Sequence, residues 1–290
     1  MGGAERRVTI LCIGRATFDL GYACPSFPQE DSKLSATHFW AGAGGSALNG
    51  AVTARALGSD VRLFALLGAG SFADSVRAEL ARYGVPFEDF ADPAAEVLPV
   101  SSIIVVPDGG TRTIVDQQPP QAVARAVPDA SCLDGVSVLY CDGFLPEIAV
   151  PLARAARERG IPVVLDGGSW KPWTSDLIAH VDHAVVSERF HPPQQGGADI
   201  LDAVHAFGPS VAAITRGPGL ISWSADGQSG TITPPGVEAI DTLGAGDIFH
   251  GAYCHYLVAG EDVPDALSHA AEVAGQSCRH YGTREWIDAR

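Results

Sequence analysis

Apolar residues along this chain fall into two alternating patterns. Short continuous runs occur at 8–14 ("VTILCIG"), 61–68, 136–143, 162–168, 183–187 and 211–217. Runs that are apolar throughout, with no in-out alternation, predict strands covered on both faces. Between them, apolar positions recur every three or four residues at 46–58, 74–84, 148–160, 247–259 and 263–280, which predicts helices. The first three of these close on Gly58, Gly84 and Gly160, the residue type favoured where a helix ends in a left-handed turn. Strand and helix in alternation predict an α/β fold with a mainly parallel, doubly wound sheet.

Two segments break the rhythm. Residues 99–118 carry two β-branched runs around "PDGG", a hairpin pattern, and residues 15–43 are irregular and β-like. The expected division is an α/β core of residues 1–14, 44–98 and 119–290, with 15–43 and 99–118 forming a small β-sheet lid. A second hairpin, 220–233, turns at "ADGQ" and is expected at the edge of the core.

Composition narrows the functions available. The 290 residues are 46% hydrophobic and 18% charged, enough to bury a large core, and the formal net charge is −15. No basic run marks either end, so a nucleic-acid or anionic-membrane surface is excluded, and lysine occurs only at Lys33 and Lys171. A bound phosphate would need backbone amides, a metal and a few arginines. The six cysteines show no CxxC pair, and the first apolar run is too short for a secretory signal. No stretch reaches the roughly 18 apolar residues that span a bilayer. These features predict a reduced cytoplasmic protein.

Two glycine-rich segments carry candidate chemistry. "GAGGSA" (42–47) fits a dinucleotide fingerprint only superficially, because the next strand ends "LLGAG" with no acid for a ribose. The second, "AIDTLGAGDIFHG" (239–251), places Gly244, Ala245 and Gly246 at the head of a helix, where backbone N–H groups gather to hold an anion. Asp247 follows at once. As a first-turn acid it could simply complement the helix dipole. The functional reading separates two roles. The three amides face the charge on a phosphoryl group in transfer, and Asp247 accepts the proton of an incoming alcohol.

"DTLGAGDIFHGA" resembles the C-terminal signature of the ribokinase-like (phosphofructokinase-B type) carbohydrate kinases, and the ketohexokinases most of all. "ILCIGRATFD" (10–19), "FPQEDS" (27–32), "AGGSALN" (43–49), "GTRTIV" (110–115) and "AGQSC" (274–278) are similar to further family segments in the same order and spacing. The resemblance implies a three-layer α/β/α ribokinase-like fold with a small β-sheet lid. It implies ATP and Mg2+ as cofactors, with K+ as a further candidate. The unpaired edges of an exposed lid sheet lead to the further expectation of a homodimer through the lid. Asp19, Asp31, Gly45, Ser46 and Asn49 would meet the sugar. Arg112, Thr215, Gly217 and Cys278 would meet ATP.

Some positions depart from the family pattern. The Asn-x-x-Glu motif that organises Mg2+ has no match in "VVSERF", which leaves Glu188 as the candidate for magnesium and Asp241 for a monovalent cation, with the metal ligands open. His250 and Ser46 stand where ketohexokinases carry Asn. The implied activity is ATP-dependent phosphorylation of a small sugar, a ketohexose or a fructose-like one. A nucleoside kinase of the same fold and a non-catalytic sugar- or nucleotide-binding protein are the alternatives.

Overall fold

The computed structural model describes residues 9–108, 111–117, 123–193 and 199–290. The chain begins with β1 (Thr9–Ile13), β2 (Thr17–Ala23) and β3 (His38–Gly44), then α1 (Ser46–Ala56), β4 (Asp60–Ala65) and α2 (Ser71–Arg82). A short β5 (Phe87–Asp89) precedes the hairpin of β6 (Val100–Val106) and β7 (Thr111–Gln117). Next come β8 (Val136–Cys141), α3 (Pro146–Glu158), β9 (Val163–Gly167), α4 (Thr174–Ile178), β10 (His183–Ser187), α5 (Ile200–Ala206) and β11 (Val211–Thr215). The hairpin of β12 (Ile221–Ala225) and β13 (Gln228–Ile232) leads to α6 (Ala245–Ala259), α7 (Val263–Ser277) and α8 (Glu285–Asp288).

Nine strands form the large sheet in the order β13-β12-β11-β10-β9-β8-β1-β4-β5. Pairings from β11 to β5 are parallel, and the β12–β13 hairpin adds two antiparallel strands at one edge, as expected. Alternate residues of the apolar runs feed two separate cores. Ile10, Cys12, Leu63, Val138 and Val164 pack with α1, α2, α6 and α7. Their neighbours Leu11, Ile13, Phe64, Leu139, Val163 and Leu165 pack with α3, α4 and α5. Burying each aliphatic side chain contributes about 1.5–3 kcal/mol, and burial on both faces explains the continuous runs. Gly58, Gly84 and Gly160 all take positive φ (111°, 65° and 69°), so the three helices end where the sequence indicates.

Segment 15–43 is more regular than its sequence suggests. It supplies β2 and β3, which join the hairpin in a separate four-stranded sheet of order β3-β2-β6-β7. The hairpin tip at 109–110 lies outside the described residues. Side chains alternate across this small sheet: Asp19 faces the same way as Trp40, Ser101, Ile103 and Asp116, while Tyr22, Phe39 and Ile104 face the other. β5, α4, α5 and α8 were not expected. Elements of three, five, seven and four residues are too short for hydrophobic periodicity to stand out. No described helix is long and apolar enough to cross a membrane. The six cysteines are unpaired, and all but Cys132 are buried.

One core contact sets the geometry of the cleft. Helices α1 and α6 cross with their backbones touching: a Cβ on Gly251 would lie 2.3 Å from the Gly50 carbonyl oxygen. Asn49 adjoins one of these glycines, and Asp247 lies one turn before the other. Gly251→Ala is expected to force the helices apart and to destabilise the protein by about 1–3 kcal/mol. A lowered urea midpoint with an unchanged denaturant slope would show it.

Candidate active site

Strand β1 sits between β4 and β8, so the chain leaves it in opposite directions on its two sides. In such sheets the crevice outside the carboxyl ends of the strands is the usual ligand site. Here that crevice is floored by a carboxylate that the sequence reading overlooked. Asp142, 2% exposed, accepts hydrogen bonds from the amides of Arg15 (2.7 Å), Ala47 (3.0 Å) and Phe144 (2.9 Å). It joins the end of β1, the start of α1 and the loop after β8. Burial pushes its pKa up, and the amides of Arg15 and Phe144 pull it down. The only sequence signal was an acid closing the apolar run "VLYCD".

Above this floor, residues 241–247 form the turn into α6. Buried Asp241 staples it: its two oxygens accept from the amides of Leu243 (2.8 Å) and Gly282 (2.9 Å). Gly244 caps the helix in the left-handed region (φ 67°), and a Cβ there would stand 2.4 Å from Thr283 Cγ2. The expected set of three amides is reduced by one, because the tight turn makes Ala245 N donate to the Thr242 carbonyl at 3.3 Å. The amides of Gly244 and Gly246 have no acceptor among the described residues. They open a helix of 15 residues, whose N-terminal dipole favours an anion.

Asp247 is half-buried at the head of this helix. Its Oδ2 accepts from Asn49 Nδ2 at 2.7 Å, and its Oδ1 has no partner among the described residues. Burial, with the Asp166 carboxylate adding to it, pushes its pKa up to about 7, against the pull of Asn49 and His250. Asn49 is 2% exposed, with Oδ1 accepting from Arg284 Nη1 at 2.9 Å, so its carboxamide supports Asp247 from beneath the cleft surface. His250 is likewise structural: its ring nitrogens lie 2.7 Å from Gly246 O and 3.0 Å from Val185 O, tying α6 to β10. Behind it, Asp166 accepts from Tyr140 Oη at 3.2 Å.

The small sheet closes the other side. Asp19, 7% exposed, accepts from Thr17 Oγ1 at 2.8 Å, and its pKa is raised by burial. Gly44 leaves room for it, since a Cβ there would fall 1.9 Å from Asp19 Oδ2. Gly45 has φ 96° and lies against the backbone of Arg15, and Ser46 opens α1 beside it. Arg112 reaches across from β7 and donates to Thr242 Oγ1 at 2.6 Å, at the turn into α6. Asp31 does not join this group. It lies in an exposed turn whose neighbours Pro28, Ser32 and Leu34 pack near Tyr22, Phe39 and Ile104, on the opposite face of the small sheet from Asp19.

The nucleotide candidates lie along the same rim of strand ends. Thr215 closes β11 and its carbonyl accepts from the Glu188 amide at 3.1 Å, while Gly217 turns the chain just beyond, at φ 56°. Cys278 ends α7, and its carbonyl accepts from the amides of Ile240 (2.8 Å) and Asp241 (3.2 Å). Its thiol is pushed up by burial. Glu188 is exposed, and among the described residues no three His, Cys, Asp or Glu side chains gather as metal ligands.

The raised pKa of Asp247 has a consequence for stability. Its folded value lies above the ordinary carboxylate range, so ionisation is harder in the folded chain than in the unfolded one. The penalty is absent where both forms are protonated, below about pH 4. It grows with pH and is complete above about 7. Asp247→Asn should therefore melt at a higher temperature than the parent at pH 8, with the difference shrinking towards pH 4 in a calorimetric series.

Comparisons with known proteins agree with this geometry. The model of the pfkB family carbohydrate kinases matches residues 8–290. A ribokinase from Bacillus subtilis is 25% identical over 284 residues, covering 97% of this chain and 96% of its own. The ketohexokinase of Mus musculus is 24% identical over 293 residues, covering 93% and 95%. A crystal structure of a ribokinase-like protein from Agrobacterium tumefaciens matches with a TM-score of 0.83 at 24% identity, covering 97% of each chain. Ribokinases are thus at least as similar to this chain as the ketohexokinases. The chain belongs to the pfkB family of carbohydrate kinases and is an ATP-dependent phosphotransferase.

Proposed function

We propose that this enzyme transfers the γ-phosphoryl group of ATP to a hydroxyl of a small sugar, a ketohexose or a fructose-like one. One observation carries the reading: Asp247, whose Oδ1 has no partner among the described residues, lies in the same first turn of α6 as the Gly244 and Gly246 amides, which have no acceptor among them. In the reaction, Asp247 takes the proton from the sugar hydroxyl. The sugar oxygen bonds to the γ-phosphorus, the bond from that phosphorus to the bridging oxygen breaks, and ADP leaves. Amides of Gly244 and Gly246 stabilise the migrating charge, and Arg112 supplies a cation from the lid. General-base assistance of this kind contributes about 10²–10⁴ in rate.

Mg2+, which family members of this kind generally use, would offset phosphate charge. The exposed Glu188 suits a contact through water. Asp241, with both oxygens already holding amides, contributes to a K+ site only if that turn rearranges. Residues 15–43 and 99–118 act as a lid that excludes water, over the core of 1–14, 44–98 and 119–290. Buried Asp19, with Thr17 and Ser101 beside it, suits a polyol, since a site built around hydroxyls rejects analogues that lack them. A nucleoside would need an open apolar slot, whereas the inward apolar residues Trp40, Ile103, Val105 and Leu243 pack on one another.

A panel of ketohexoses, ribose, deoxyribose, sugar acids and nucleosides with Mg-ATP, read by ADP release, tests the substrate class. A ketohexose is expected to give the highest kcat/KM, and a preferred nucleoside would refute the reading. Asp247→Asn should abolish turnover while ATP affinity stays within a few fold. In the parent, kcat/KM should rise with pH through about 7, as the base ionises. Undiminished turnover in the variant would refute the base assignment.

The outer face of the lid exposes Phe39 (55%) and Val115 (64%), and we assign it to a homodimer. Asp31 lies on this face, so any sugar contact it makes would be in the partner's cleft. Light scattering should give twice the chain mass, and Phe39→Glu should reduce it to one.

A further inference from the structure

Arg284 comes to the site from the far end of the chain, outside the segments that carry the family resemblance. Its side chain is 13% exposed, and each guanidinium nitrogen donates to an acceptor. Nε donates to Glu79 Oε1 at 2.8 Å, Nη1 to Asn49 Oδ1 at 2.9 Å and Thr283 Oγ1 at 2.8 Å, and Nη2 to the Ala43 carbonyl at 3.1 Å. The other oxygen of Glu79 accepts from the Ala43 amide at 2.8 Å. The ion pair therefore grips both peptide groups of Ala43, just before the glycines that lead into α1.

The consequence lies in Asn49. A carboxamide has one accepting end and one donating end, and a guanidinium can only donate. Arg284 therefore selects Oδ1, which turns Nδ2 towards Asp247, 2.7 Å away. The reversed amide would set oxygen against carboxylate and NH2 against guanidinium, two repulsive contacts in place of two charge-assisted bonds. The same guanidinium also attracts the Asp19 carboxylate. One side chain thus bears on both Asp19 and Asp247.

We propose that Arg284 is a positioning residue: by orienting the Asn49 carboxamide it holds Asp247 with one oxygen bound and the other presented to the acceptor hydroxyl. This rests on the reading of Asp247 as the base. Asp247 faces Asp166 from β9, Tyr140 and Asp142 from β8 and its following loop, and His250 from its own helix. Arg284 faces Glu79 and Tyr83 from α2 and Asp19 from β2. Among the groups around Asp247, Asn49 and His250 favour its ionised form. Losing the oriented donor should make the base harder to ionise.

The test compares Arg284→Gln, Asn49→Ala and the double variant. In Arg284→Gln, the ascending limb of kcat/KM should move up by at least about half a pH unit. Asn49→Ala should move it similarly, and the double variant no further, because the two act in series. A limb that stays in place in Arg284→Gln, or shifts that add in the double variant, would overturn the proposal. A measurement on the parent protein covers the case of a variant that does not fold. The Asn49 side-chain NH2 resonances should titrate together with Asp247, and resonances that do not move would also overturn it. Activity retained by Asp247→Asn defeats the base reading itself. An unmoved limb in Arg284→Gln beside a dead Asp247→Asn defeats the positioning role alone.

Discussion

The backbone contact between Gly50 and Gly251 lets two helices from distant parts of the chain approach without side chains between them. One helix brings Asn49 and the other Asp247, and their 2.7 Å hydrogen bond is available only at that separation. A well-packed interior resists small displacements, so the crossing converts core packing into precision at the cleft. Gly244 extends the same logic. Its left-handed conformation turns the chain into α6 so that Asp247 falls in the first turn of the helix, with the helix-opening amides.

Four acids in or beside the cleft show how different surroundings give one residue type different work. Asp142 and Asp241 are surrounded by amide donors and serve as braces. Asp19 keeps a hydroxyl donor and faces the cleft from the small sheet. Asp247 has one carboxamide donor and one free oxygen, and burial raises its pKa towards neutrality. A carboxylate held this way is costly to the fold, and in the proposed reaction it serves the chemistry, a common trade between stability and activity. A general base works best with a pKa near the operating pH.

Much of the large sheet was legible in the sequence. Runs buried on both faces are continuously apolar, and helix ends are marked by glycine, so β1, β4, β8 to β11 and the five long helices could be read directly. The turn around Gly244 and Asp247 was legible for a local reason: helix start, amides and acid lie within a few consecutive residues. Short elements such as β5 and α5 left no comparable trace.

What the sequence by itself determined is therefore whatever depends on neighbours along the chain: strand and helix identity, the glycine-rich turn into α6 and the acid that comes after it. Only the tertiary structure decided the direction in which isolated polar groups point. It put Asp31 on the outer face of the small sheet, and it used the Ala245 amide to close a turn. It made Asp142 a brace and brought Arg284 against Asn49, 235 residues away in sequence. Hydrogen-bond partners this far apart leave no periodicity or spacing to read, because their meeting depends on the packing of whole helices and sheets.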